Sequence, residues 1–145
     1  MNSIIIIVFD GLQPSQINPD LTPNLYAFKN EGVFFKNHHP IFPSVTRANA
    51  ASLVTGRYPG GHGLTGNTLV VPEFMPSTVI PALESQLEAI NQKTGQVLLA
   101  PTIADILGRE NKKYIAIGTG TSGNAYIHVI QFANPFILAE SAGGP

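Results

Sequence analysis

Apolar and polar positions alternate between two spacings along this chain. Ile4–Phe9 is an unbroken apolar run, rich in β-branched residues and cut off by Asp10-Gly11. Apolar on every position, it predicts a buried, parallel-type strand covered on both faces. The next regular segment is helical: Thr22 as N-cap, Pro23 in the first turn and Gly32 as the stop, with Leu25, Phe28 and Tyr26 facing the core. Val33–Lys36 predicts a short strand. Thr46–Thr55, rich in Ala, predicts a helix ended by Gly56, and the glycines of Arg57–Gly66 predict irregular chain. Thr68–Val71 is a strand candidate, and Pro72–Pro81 a proline-punctuated crossing. Leu83, Leu87 and Ile90 recur at helical spacing up to about Lys93, and Ile103, Ile106 and Leu107 mark a helix from Thr102 to about Glu110. Lys113–Gly118 predicts a second buried strand, residues 118–123 a Gly/Ser/Thr loop, and Tyr126–Phe132 a third strand. Strands separated by helices imply an α/β fold with a mostly parallel sheet flanked by helices.

Composition narrows the function classes. The chain has 145 residues, 43% hydrophobic and only 12% charged, against about 25% charged in typical soluble domains. That balance opposes disorder and fits a single α/β domain, or part of one. A net charge of −1 gives no footprint for nucleic acid. The absence of cysteine excludes disulfides, thiolate metal sites and a thiol nucleophile. No apolar run approaches the length of a membrane-spanning helix. The N-terminus lacks the charged region of a secretory signal, and the compartment and oligomeric state stay open.

Three residues carry candidate chemistry, each with a plainer role beside it. Asp10 follows the first strand, at the carboxyl end where open α/β sheets bind ligands, and could hold a divalent cation; it could equally make a turn with Gly11. Thr46, at a loop-to-helix junction, is either a helix cap or a nucleophile. A helix N-terminus carries roughly half a positive charge and unpaired N–H groups, which favour phosphate or alkoxide. Asn49, one turn on, could donate its amide to a phosphoryl oxygen or serve as a polar cap. Arg47 could pair with phosphate or face water. His38, His39, His62 and His128 match no zinc-ligand spacing and are not assigned as ligands; packing explains His62 in its glycine-rich setting. Gly118, Gly120 and Gly123 space as G-x-G-x-x-G, a weak signal without a recognisable acid after it.

Asp10-Gly11, the segment TPNLYAFKNEGVFF at 22–35 and FPSVTRANAASLVTGRYPGGHGLTGN at 42–67 together resemble the type I phosphodiesterase/nucleotide pyrophosphatase branch of the alkaline phosphatase superfamily. The resemblance is good over about the first 70 residues. It implies an alkaline-phosphatase-like fold and a hydrolase of phosphodiester or pyrophosphate bonds in small phosphate esters. It also implies two divalent ions of the Zn²⁺ type. Asp10 then matches a metal ligand, Thr46 a metal-contacting nucleophile that becomes covalently modified, and Asn49 the amide that holds the phosphoryl oxygen. Sulfatases place a modified Cys or Ser in a different context, which Thr46-Arg47-Ala48 does not fit. Aspartate occurs only at 10, 20 and 105, with no Asp-His pair. The resemblance therefore implies the N-terminal part of one catalytic domain, binding metal weakly and turning over poorly in isolation. Alternatives are a phosphonate or phosphomonoester hydrolase of the same superfamily, or a noncatalytic α/β fragment.

Overall fold

A computed structural model describes residues 3–118, 122–130 and 136–139, the side chains of Ser122 and of residues 136–139 excepted. The chain divides into two compact units, Met1–His39 and Pro40–Pro145.

In the first unit, Ile4–Phe9 forms no strand, and its side chains are 52–90% exposed. This corrects the buried strand expected there. A β-strand is stabilised by the ladder beside it, and no strand ladder engages this segment among the described residues. Helix α1, Pro23–Glu31, has the expected bounds, with Thr22 at its N-cap and Gly32 closing it. The Thr22 hydroxyl does not cap; it donates instead to the Gln16 carbonyl at 2.7 Å. None of α1 is buried, and Phe28 is exposed, contrary to the core face expected for it. Val33–Lys36 is likewise not a strand.

The second unit holds the core. Helix α2 runs Thr46–Thr55 as expected, with Gly56 at φ +63°, a left-handed closure that glycine adopts without a Cβ clash. Arg57–Gly66 is not wholly irregular: Pro59–His62 winds one turn, α3, since proline suits a first helical position. Strands β1, Thr68–Leu69, and β2, Ile80–Pro81, pair antiparallel, Leu69 opposite Ile80. Helix α4 spans Glu84–Thr94 and buries Leu87 and Ile90, the positions marked by its periodicity. Helix α5, Ile103–Arg109, starts at a capping box in which Thr102 Oγ1 accepts from Asp105 N and the Asp105 carboxylate accepts from Thr102 N. Its buried position is Ala104, while Ile106 is exposed.

Strand β3, Ile115–Gly118, pairs in parallel with β4, Phe136–Ala139, Ala116 opposite Ile137. It is buried only at Ala116; Ile115 and Ile117 face outward. Between them, Tyr126–Phe132 is not the expected strand: α6 spans Ser122–Ile127, and turns continue through residue 130. The apolar residues of α6 are drawn into the core because this helix packs against α2, α4, β3 and β4. Residues 119–121 of the Gly/Ser/Thr loop and residues 131–132 lie outside the described residues. Gly118 and Gly123 are explained by packing: a Cβ on Gly118 would meet Ala125 Cβ at 2.6 Å, and one on Gly123 would run into the Ala82 carbonyl.

The described strands thus form two short two-stranded sheets, one antiparallel and one parallel. The core of this unit gathers Ala50, Ala51 and Val54 of α2 against Leu64, Ala82, Leu87, Leu98, Ile127 and Ile130. The small residues of α2 let its backbone approach α6 closely, which makes this helix the axis of the packing.

Candidate active site

Thr46 is the first residue of α2, and Val45 is the N-cap, so Thr46 enters the helix instead of capping it as a plain reading of the sequence proposes. It is half-buried. Two asparagines flank this junction from different directions.

Asn49 holds the entering loop. Its Oδ1 accepts from Ile41 N at 3.0 Å, and its Nδ2 donates to Val45 O at 3.0 Å and, more weakly, to Pro43 O at 3.4 Å. These three bonds fix the backbone just before Thr46, so the amide faces the loop. Asn67, which sequence reasoning missed, reaches the same helix end from 20 residues away: its Oδ1 accepts from Arg47 N at 3.1 Å. It caps an N–H of the first turn in trans. No hydrogen bond engages its Nδ2 among the described residues, and the residue is exposed. The sequence signal lay in position alone: Asn67 directly precedes β1, and only the pairing of β1 with β2 carries it to α2.

Arg47 neither faces water nor stands open to an anion. It is buried, and its Nε donates to the Ala82 carbonyl. Burial pushes its guanidinium below the usual arginine range, because the charged form loses solvation. Ala82 N in turn donates to Asn67 O at 2.9 Å, closing a ring of Arg47, Asn67 and Ala82.

Farther along α2, Ser52 Oγ meets His62 Nε2 at 2.9 Å, and Leu64 N donates to His62 Nδ1 at 3.2 Å. His62 is fully buried, which holds its pKa below the ordinary histidine value. The packing role expected for His62 fits this geometry. In the other pair, Tyr114 Oη and His128 Nδ1 lie 3.1 Å apart, and burial again depresses the imidazole and raises the phenol.

Asp10 belongs to the first unit and Thr46 to the second. Asp10 occupies a turn in which Leu12 N donates to Phe9 O at 3.3 Å and Gly11 takes φ +79°. Among the described residues no group of three or more His, Cys, Asp or Glu converges, so these residues alone do not complete a two-cation centre. Two ions sharing a phosphoryl group need more ligands than an aspartate and a threonine supply.

The family model for type I phosphodiesterase / nucleotide pyrophosphatase matches residues 4–127, which takes in Asp10, the α2 junction, Asn67 and the ring around it. The chain belongs to this family. This phosphodiesterase-family chain is 36% identical over 90 residues to ectonucleotide pyrophosphatase/phosphodiesterase 1 of Saccharomyces cerevisiae, covering 54% of the chain and 12% of that protein. It is 30% identical over 82 residues to ectonucleotide pyrophosphatase/phosphodiesterase family member 1 of Rattus norvegicus, covering 55% of the chain and 9% of the rat protein. It is 32% identical over 66 residues to a bis(5'-adenosyl)-triphosphatase of Pongo abelii, covering 46% of the chain and 15% of that relative. The phosphodiesterase-family chain thus aligns with about 9–15% of the length of these relatives. Its resemblance is to hydrolases. No solved structure matches it. No described helix is long and apolar enough to cross a membrane.

Proposed function

We propose that this chain carries the nucleophile of a phosphodiester or pyrophosphate hydrolase, within the N-terminal part of an alkaline-phosphatase-like catalytic domain. Thr46 Oγ1 attacks phosphorus as its hydroxyl proton passes to solvent, the bond to the leaving oxygen breaks and that oxygen takes up a proton from solvent, and water then hydrolyses the phosphoryl–threonine ester. The start of α2 favours the negative charge that gathers on the phosphoryl oxygens. The observation that carries the reading is the pair of asparagines around this start. Asn49 spends its amide on residues 41–45 and so positions Thr46. Asn67 anchors through Oδ1 and keeps Nδ2 available as a donor beside the nucleophile's helix. The phosphoryl-holding role expected of Asn49 suits Asn67 better, and Asn49 becomes the group that orients the nucleophile's loop.

The family resemblance also brings the expectation of two divalent ions, Zn²⁺ among them, with Asp10 and Thr46 as ligands. The described residues provide too few ligands for them, so every step above rests on side chains alone. The substrate proposed is a small phosphate ester; family membership favours it over a phosphonate. The test is mass spectrometry of chain quenched during turnover of a 4-nitrophenyl phosphodiester, with and without added Zn²⁺. A phosphoryl adduct on the peptide containing Thr46, absent in Thr46→Ala, is the expected result. Hydrolysis that survives Thr46→Ala at full rate would exclude the mechanism.

A further inference from the structure

We infer that Arg47 is a positioning residue for the reaction proposed above, acting through Asn67. The inference rests on that reading for its kinetic consequence but not for its geometry. Arg47 contributes two donors to one ring. Its backbone N–H donates to Asn67 Oδ1 at 3.1 Å, and its Nε–H donates to Ala82 O. The ring closes through Ala82 N, which donates to Asn67 O at 2.9 Å.

Asn67 and Ala82 flank the paired strands β1 and β2, whose Thr68 stands opposite Pro81. A two-residue ladder is a weak element by itself. What holds its end against the first turn of α2 is the buried guanidinium. A planar fork with fixed donors suits this role, because Nε–H is aimed by the same stem that packs in the core. The side chain that a sequence reader would give to the substrate thus faces the protein, and the amide it steadies faces outward. Loss of the fork would leave Asn67 exposed on an unbraced strand end, with its amide no longer held at the first turn of α2.

The experiment has two arms. Backbone amide exchange on the 145-residue chain compares Arg47→Met with the unaltered protein. The amides of residue 47 and Ala82 are expected to exchange about tenfold faster, with Ile90 in α4 unchanged as the internal control. Arg47→Lys, which keeps the charge and lacks the fork, is expected to show the same loss, and it decides the matter if Arg47→Met does not fold. Unchanged protection at residues 47 and 82 overturns the inference. The second arm measures hydrolysis of bis(4-nitrophenyl) phosphate. Arg47→Met should lower kcat about tenfold with KM little changed, and Arg47→Met combined with Asn67→Ala should be no slower than Asn67→Ala alone. Additive losses, or a loss confined to KM, overturn it. No hydrolysis by the unaltered chain overturns the reaction and leaves the exchange arm to decide the ring.

Discussion

Ser52 Oγ and His62 Nε2 lie 2.9 Å apart, and the Leu64 N–H at His62 Nδ1 decides which of them donates. With Nδ1 accepting, the proton sits on Nε2, and the imidazole is neutral and donates to the serine oxygen. Protonating the buried ring would turn Nδ1 against the Leu64 N–H. The depressed pKa of His62 and that of His128 have the same cause, lost solvation of the charged form. The unfolded chain, with histidines near pKa 6.5, binds more protons than the folded one, so stability rises with pH. This contribution is in place above about pH 6.5 and is lost as pH falls below it toward the folded-state values. Urea midpoints should drop between pH 7.5 and pH 5, and His62→Gln should shrink that drop while His128 sustains the remainder. A midpoint independent of pH in the unaltered chain would contradict this.

Ser52→Ala removes the acceptor and leaves a fully buried N–H on His62. An unsatisfied buried donor costs roughly 1–3 kcal/mol. The loss should appear in equilibrium denaturation at pH 7.5 without a change in far-ultraviolet circular dichroism.

Gly123→Ala tests the packing account of the glycine spacing at 118–123. The added Cβ would meet the Ala82 carbonyl and Leu83 Cα, both backbone, which cannot rotate away. Overpacking of this kind costs about 1–3 kcal/mol. The signature is a lowered midpoint together with faster exchange at Ala82, since the intruding atom pushes on the ring at that residue.

Thr102→Ala should cost about 1 kcal/mol, the usual loss for a helix cap. Thr102 is fully buried, its Oγ1 accepts from Asp105 N at 3.2 Å, and its hydroxyl donates to the Asp105 carboxylate at 2.8 Å. Thr102→Ser, which keeps the oxygen, should recover most of the loss in thermal denaturation.

Ile4–Phe9 presents six consecutive exposed apolar residues. Such a run is an aggregation hazard when nothing covers it. Light scattering of the 145-residue chain should show self-association that Ile5→Lys with Ile7→Lys reduces. Equal scattering from both proteins would remove the segment as its source.

The helices whose ends carry local chemistry were legible in the sequence. Gly32, Gly56 and Thr102 mark ends that the structure places where the residues imply, because caps act within one turn. Strands fared worse, for a physical reason. Ile4–Phe9 has the composition of a buried strand, but composition cannot supply a ladder. Tyr126–Phe132 has the apolar and β-branched content of a strand, yet its first residues belong to a helix that packs against α2, α4, β3 and β4. The candidate site was half legible. Thr46 at the head of α2 followed from the loop-to-helix pattern. Asn67 and the inward turn of Arg47 did not, since each depends on a partner brought close only by the pairing of β1 with β2.

That pairing has a consequence for how such a protein can vary. The chain touches the head of α2 at Asn67 and again at Ala82, so residues 70–79 form a detour whose course does not enter the bracing of the helix head. Insertions or deletions there leave the seat of Thr46 at the head of α2 unchanged.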